Sequence, residues 1–136
     1  MGLTVLDAGI IVAVLDAADV HHAATLAALA VARDGGDMVV IPVSAYAECL
    51  VAPSRRGGDG VTTVDRFLDA LPVAIEPASR AIGAMAAGLR AEHGFALRLP
   101  DALVVATAMV LGADRVMTTD TRWPALSIRV DVLGAA

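Results

Sequence analysis

Short, largely apolar runs that alternate with longer alanine-rich ones constrain this chain more than any other feature. Thr4 to Leu6, Met38 to Ile41, Val73 to Ile75, Arg115 to Met117 and Ile128 to Val132 read as strands. Between them, helices are expected over Ile10 to Leu15 after a turn at Ala8-Gly9, and over His21 to Arg33, closed by Gly35-Gly36. Further helices are expected from an N-cap at Ser44 to about Ala52 before Pro53, from Thr62 or Thr63 to Leu71, from Pro77 to His93, and from Pro100 to near Gly112. Arg55 to Gly60 reads as the most exposed loop. Strands that are apolar throughout, each followed by a helix, belong to a parallel sheet covered on both faces. The fold class is therefore α/β, with residues 1–136 as one domain.

In such open sheets ligands bind outside the carboxyl ends of the strands, and acids stand where polar residues are least expected. Asp7 follows the first strand directly, inside Val5-Leu6-Asp7-Ala8-Gly9-Ile10-Ile11. Asp120 ends Val116-Met117-Thr118-Thr119-Asp120, again just past a strand, and Asp101 follows Pro100 at the start of a helix apolar on every side. Glu48 lies one turn into a helix of small and apolar residues, where it is expected to be at least half buried. Each has an ordinary structural explanation: Asp7 as a helix cap, Asp101 as an acid favoured by a helix dipole, Asp120 as a turn residue and Glu48 as a solvated charge. Together they can converge on one edge of the sheet. Carboxylates about 4 Å apart repel by roughly 1 kcal/mol in water and several times that when half buried, so convergence calls for a cation. Oxygen-only donors without a Cys or His partner set suit Mg²⁺ or Mn²⁺ better than Zn²⁺. Such a site is suited to phosphodiester hydrolysis.

Composition excludes several competitors. All ten basic residues are arginine, so a receiver domain, which needs a lysine beside its acyl phosphate, is ruled out. Gly9 stands where a haloacid-type phosphatase needs a second Asp, and Asp7-Ala8-Gly9-Ile10-Ile11 is not a dinucleotide-binding glycine turn. No apolar run reaches the length needed to span a bilayer, because Asp7, Asp16, Arg98, Asp101 and Asp114 interrupt the candidates. The first residues lack the basic flank and cleavage site of a signal peptide, so a cytoplasmic location is expected. Cys49 is expected to be an inert core thiol and Tyr46 a core residue. The adjacent His21 and His22 point about 100° apart on a helix and are not expected to share an ion. A net charge of -5 opposes binding of nucleic acid unless cations offset the acids locally.

The ordered set of acidic motifs resembles the PIN-domain family, and is most similar to the VapC-type toxins of bacterial toxin-antitoxin pairs. Leu6-Asp7-Ala8-Gly9 resembles the family's first acidic motif and Ala47-Glu48-Cys49-Leu50 its second. Leu99-Pro100-Asp101-Ala102-Leu103 resembles the third, and Thr118-Thr119-Asp120-Thr121-Arg122-Trp123 the fourth. The resemblance implies a three-layer sandwich around a mainly parallel five-stranded sheet. It also implies an endoribonuclease dependent on Mg²⁺ or Mn²⁺, with Asp7, Glu48, Asp101 and Asp120 as catalytic metal ligands. A homodimer silenced by a small antitoxin follows from the same resemblance. Thr118 is the accessory hydroxyl it implies, while Asp16 is a nearby accessory acid. Arg55, Arg56 and Arg98 are candidate RNA contacts. Gly9 departs from the Ser or Thr that many members carry, and Trp123 from their commoner Phe. A binding module without cleavage, which takes RNA or a protein partner, is the competing reading.

Overall fold

Residues 2–134 are described by the structure, a computed structural model. In chain order the elements are β1 (Leu3–Leu6), α1 (Ala8–Leu15), α2 (His22–Asp34), β2 (Met38–Pro42), α3 (Val43–Arg56) and α4 (Gly60–Ala70). They continue with β3 (Ala74–Glu76), α5 (Arg80–His93), a 3₁₀ turn at Gly94–Ala96, α6 (Leu99–Leu111), β4 (Arg115–Thr118) and β5 (Val130–Val132). The five strands form one sheet in the order β3-β2-β1-β4-β5, and every neighbouring pair is parallel. All carboxyl ends therefore lie on one edge. The strand order reverses between β1 and β4, and such a switch point is where open α/β sheets leave a crevice.

The centre of the sheet is dry because its strands carry no alternating polar face. Val5, Leu6, Ile41 and Val116 are fully buried, and they join Ile10 and Ile11 of α1 and Val104 of α6 in the main core. A second cluster lies between α5 and α6, where Ala86, Ala102 and Ala106 expose none of their surface and let the two helices approach closely beside Ile82, Leu89 and Leu97. Small aliphatic layers thus replace aromatic packing, as a chain with 3% aromatic residues requires.

Several boundaries differ from the sequence expectation, each for a local reason. α1 starts immediately after Asp7, whose carboxylate caps it, so Ala8 and Gly9 are helical and form no turn. Gly9 leaves room for Thr119: a Cβ there would lie 2.5 Å from Thr119 Oγ1, and that hydroxyl would have to turn away. α3 starts at Val43 with Pro42, and not Ser44, in the cap position, and it runs through Pro53 to Arg56. Pro53 is buried and its carbonyl still accepts from Gly57 N–H at 3.2 Å, so tertiary packing overrides the proline break. Gly57, at φ 72°, ends the helix. The expected Arg55 to Gly60 loop shrinks accordingly, because α4 already begins at Gly60. α5 begins after Ser79, whose hydroxyl accepts from Ile82 N–H, and not at Pro77. β5 is confined to Val130–Val132, leaving Ile128 as a partly buried core residue before it.

Candidate active site

Each of the four acids is delivered by the end of a regular element. Asp7 continues the β1–β4 pairing through its N–H to Met117 O at 2.9 Å, then turns its side chain to cap α1. Its Oδ1 accepts from Ala8 N–H at 2.9 Å and its Oδ2 from the Thr118 hydroxyl at 2.7 Å. Thr118 gives its single proton to Asp7 and uses its oxygen to accept from Asp120 N–H at 3.0 Å. One buried hydroxyl therefore couples the residue after β1 to the loop after β4. Asp101 stands in the first turn of α6 beside Pro100, and Glu48 in the second turn of α3. α3 is tied to α1 by the Cys49 thiol, which lies 3.7 Å from Ala8 O.

These elements meet at the carboxyl edge of the sheet around a cleft of about 410 Å³, lined by Asp7, Gly9, Glu48, Arg98, Asp101, Thr119, Asp120, Thr121 and Arg122. Asp7 is only 9% exposed, and burial pushes its pKa up despite the hydrogen bonds from Thr118 and Ala8. Glu48 and Asp101 are also raised, first by loss of hydration and then by neighbouring carboxylates, with Arg98 opposing. Asp120 behaves differently. The Arg122 guanidinium hydrogen-bonds both of its oxygens, at 3.0 Å each, and holds it below the usual carboxylate range. Three acids thus carry charge against their surroundings and one is matched. Glu48 is exposed at the cleft mouth and not half buried as its apolar neighbours suggest, because α3 turns that position away from its buried Ala45 and Cys49.

Among the described residues no three carboxylate, imidazole or thiolate side chains are drawn together tightly enough to grip an ion as they stand. Asp7 is engaged by Thr118 and Ala8, and Asp120 by Arg122. The oxygen-only donor set and its shared cleft nonetheless suit a hard divalent cation.

Of the other residues singled out in the sequence, Thr118 and Arg98 reach the site, and Asp16 does not: it is exposed, ends α1 and accepts from Ala18 N–H at 2.9 Å. Arg55 and Arg56 lie exposed on the last turn of α3, outside the cleft lining. His21 pairs with Asp19, while His22 Nδ1 lies 2.8 Å from Ala13 O, so both brace the α1–α2 junction. Tyr46 is partly buried and donates to Asp65 at 2.6 Å, which ties α3 to α4 and pushes its pKa up to about 12. Cys49 is buried, and burial pushes its thiol up to about 12, the inert state expected of it. Sequence reasoning missed Thr119, Thr121 and Arg122. The available signal was the Asp-x-Arg spacing just past a strand, where a turn folds an arginine back on its acid. Thr119 also bears on the missing hydroxyl at position 9, since its own Oγ1 fills that space.

Comparison with known proteins agrees with the fold. The family model described as PIN domain matches residues 4–128. No curated protein matches the sequence significantly. Among solved structures, the fold is similar to VapBC2 from Rickettsia felis bound to a promoter DNA fragment, with TM-score 0.74 and 16% identity over 97% of this chain and 99% of that one. A toxin-antitoxin complex from Klebsiella pneumoniae gives TM-score 0.72 and 22% identity over 95% and 96% of the two chains. VapC20 of Mycobacterium tuberculosis, a Sarcin-Ricin loop cleaving toxin, gives TM-score 0.68 and 16% identity over 83% and 86%.

Proposed function

The chain belongs to the PIN domain family, and we propose that it is a divalent-cation-dependent endoribonuclease acting as the toxin of a toxin-antitoxin pair. The observation that carries this reading is the gathering of Asp7, Glu48, Asp101 and Asp120 around one cleft at the carboxyl edge of a parallel sheet. Those four residues would hold Mg²⁺ or Mn²⁺. When bound, such a cation supplies a water of lowered pKa and charge compensation at the scissile phosphate.

The chain's own residues supply orientation and substrate contact. Thr118 and the Ala8 N–H fix both oxygens of Asp7, so that carboxylate has one rotamer toward the cleft. Pro100 and the start of α6 hold Asp101 on a rigid helix, and Arg98 at the cleft lining offers a positive contact for the RNA backbone. Arg55 and Arg56, at the end of α3, would contact RNA only if it extends beyond the cleft.

An antitoxin partner is supported by the structural relatives, several of which were solved as toxin-antitoxin complexes. A homodimer is supported by exposed apolar side chains such as Val20 at 57%, Val31 at 69% and Phe95 at 94%. No helix among the described residues is long and apolar enough to cross a membrane, and a cytoplasmic location accords with the proposed action on RNA.

The test is cleavage of pooled cellular RNA by the purified protein in Mg²⁺, Mn²⁺ or EDTA, run beside Asp101→Asn. Cleavage that needs both the metal and Asp101 is expected. A folded, antitoxin-free protein that leaves RNA intact in either metal, or cuts it equally well after Asp101→Asn, overturns the reading. Light scattering that finds only a 13.8 kDa species would remove the dimer.

A further inference from the structure

Asp120 is the one acid of the cleft that already has a cationic partner, and the partner sits two residues away in the same loop. Arg122 donates its backbone N–H to Asp120 Oδ1 at 2.8 Å, its Nε to the same oxygen at 3.0 Å and an Nη to Oδ2 at 3.0 Å. A carboxylate has about four acceptor positions, so this single residue fills most of them. The Arg122 side chain is 77% exposed and touches nothing else by hydrogen bond or ion pair among the described residues, whereas the Asp120 side chain is 18% exposed. Breaking the two guanidinium bonds therefore disturbs no packing. The backbone N–H bond, and the Thr118 bond to Asp120 N–H, would keep the carboxylate aimed as before.

We propose that Arg122 is an internal counter-ion that Asp120 exchanges for the divalent cation, and that the freed guanidinium then binds a phosphate of the RNA. This rests on the ribonuclease reading above. The exchange answers two facts together. Four carboxylates line one cleft, and the Arg122 guanidinium, bound to both oxygens of Asp120, offsets part of their charge when no cation is present. The acidic chain also needs positive charge at the cleft once RNA arrives, and a planar guanidinium matches phosphate geometry in two-point contacts. A residue that serves one acid without metal, and the substrate with it, meets both needs without adding net charge. Arg98 lines the same cleft but makes no hydrogen bond to any of the four acids, so the exchange is specific to Arg122.

The experiment compares wild type with Arg122→Gln and Arg122→Lys in two assays that do not depend on cleavage. Mn²⁺ binding is followed by the loss of the free-ion electron paramagnetic resonance signal. RNA binding is followed by fluorescence anisotropy of a labelled oligonucleotide in Ca²⁺, a hard cation that suits the same carboxylates and slows cleavage, with all four acids intact. Arg122→Gln is expected to bind Mn²⁺ about two- to fivefold more tightly, the scale on which an exposed ion pair competes. It is expected to bind RNA more weakly, with a salt dependence shallower by about one phosphate contact. Arg122→Lys, which keeps the charge and loses the two-point fork, should fall between wild type and Arg122→Gln in both assays. Unchanged or weaker Mn²⁺ binding by Arg122→Gln overturns the exchange, and unchanged RNA binding overturns the phosphate contact. If wild type binds Mn²⁺ and cleaves RNA while Arg122→Gln matches it in both assays, this inference alone fails. If wild type binds no Mn²⁺ and cuts nothing, the ribonuclease reading fails and takes the exchange with it.

Discussion

The two edges of the sheet treat charge in opposite ways. At the amino edge, Arg115 bonds Thr4 Oγ1 at 3.0 Å, lies 3.4 Å from Asp37 and reaches Asp131 in the middle of β5 at 3.0 Å, while Arg129 grips Asp131 from the other side at 2.9 Å. Asp37 and Asp114 accept from the backbone N–H groups of Gly2 and Leu3, so the start of β1 is pinned by carboxylates as well. Every acid there has a donor. At the carboxyl edge, Asp7, Glu48 and Asp101 raise one another's pKa or lose hydration, and only Asp120 has an arginine on it. The same few residue types thus secure the fold at one edge and are held in tension at the other.

The largest expected effect comes from removing that tension. Asp101→Asn should lower cleavage by more than the roughly 10–100-fold lost when a group that merely orients a metal ligand is removed. The same change should raise the unfolding free energy in EDTA by about 0.5–2 kcal/mol, because an unfavourable charge has gone. A variant that is inactive and less stable in EDTA would show that the carboxyl edge is not strained electrostatically, and the contrast would collapse. Next in size is Arg115→Met, whose side chain is 17% exposed in the wild type. It leaves Asp37 and Asp131 short of a partner, at a cost of about 1–3 kcal/mol by urea unfolding. Cleavage per folded molecule should stay within about twofold, since unlinked sites act independently. A large loss of activity from a folded Arg115→Met protein would couple the two edges.

How much of this was legible in the sequence differs between the edges too. The carboxyl edge could be read because an acid interrupting an apolar run violates local expectation, as Asp7 and Asp101 do, and because a parallel sheet gathers all strand ends. The amino edge could not, since Arg115, Asp37 and Asp131 are ordinary charges until strand register sets Thr4 against Arg115 and Met117 against Asp131. The helix through Pro53 escaped for a related reason: local propensity says stop, and only burial of that ring says continue. Gly9 read as a missing hydroxyl, when the space it leaves is filled by Thr119 from a loop more than a hundred residues away. Glu48 stands out in the sequence as an acid among apolar neighbours, but the half burial they suggest is not found, because its exposure depends on which face α3 turns to the sheet.

The smallest effect is also the one that separates the edges by sign. Burial of Asp131 opposes its charged form, but hydrogen bonds from Arg129 and Arg115 outweigh that, and its pKa lies below the usual carboxylate value. A carboxylate with a lowered folded pKa binds protons less readily when folded than when unfolded. Its stabilisation is therefore complete above the unfolded value of about 3.9 and is lost as pH falls through the lower, folded one. Asp131→Asn should thus cost up to about 1 kcal/mol at neutral pH, and the gap to wild type should close below roughly pH 4. At the other edge the order is reversed. Asp101 has a raised folded pKa, so its charged form destabilises the metal-free fold at neutral pH and is relieved as pH falls through that raised value toward the ordinary range. In EDTA, Asp131→Asn should be the less stable variant at neutral pH and Asp101→Asn the more stable one, both converging on wild type in acid. Urea melts of the three proteins across that range measure this directly, and two curves that approach wild type from the same side would break the comparison.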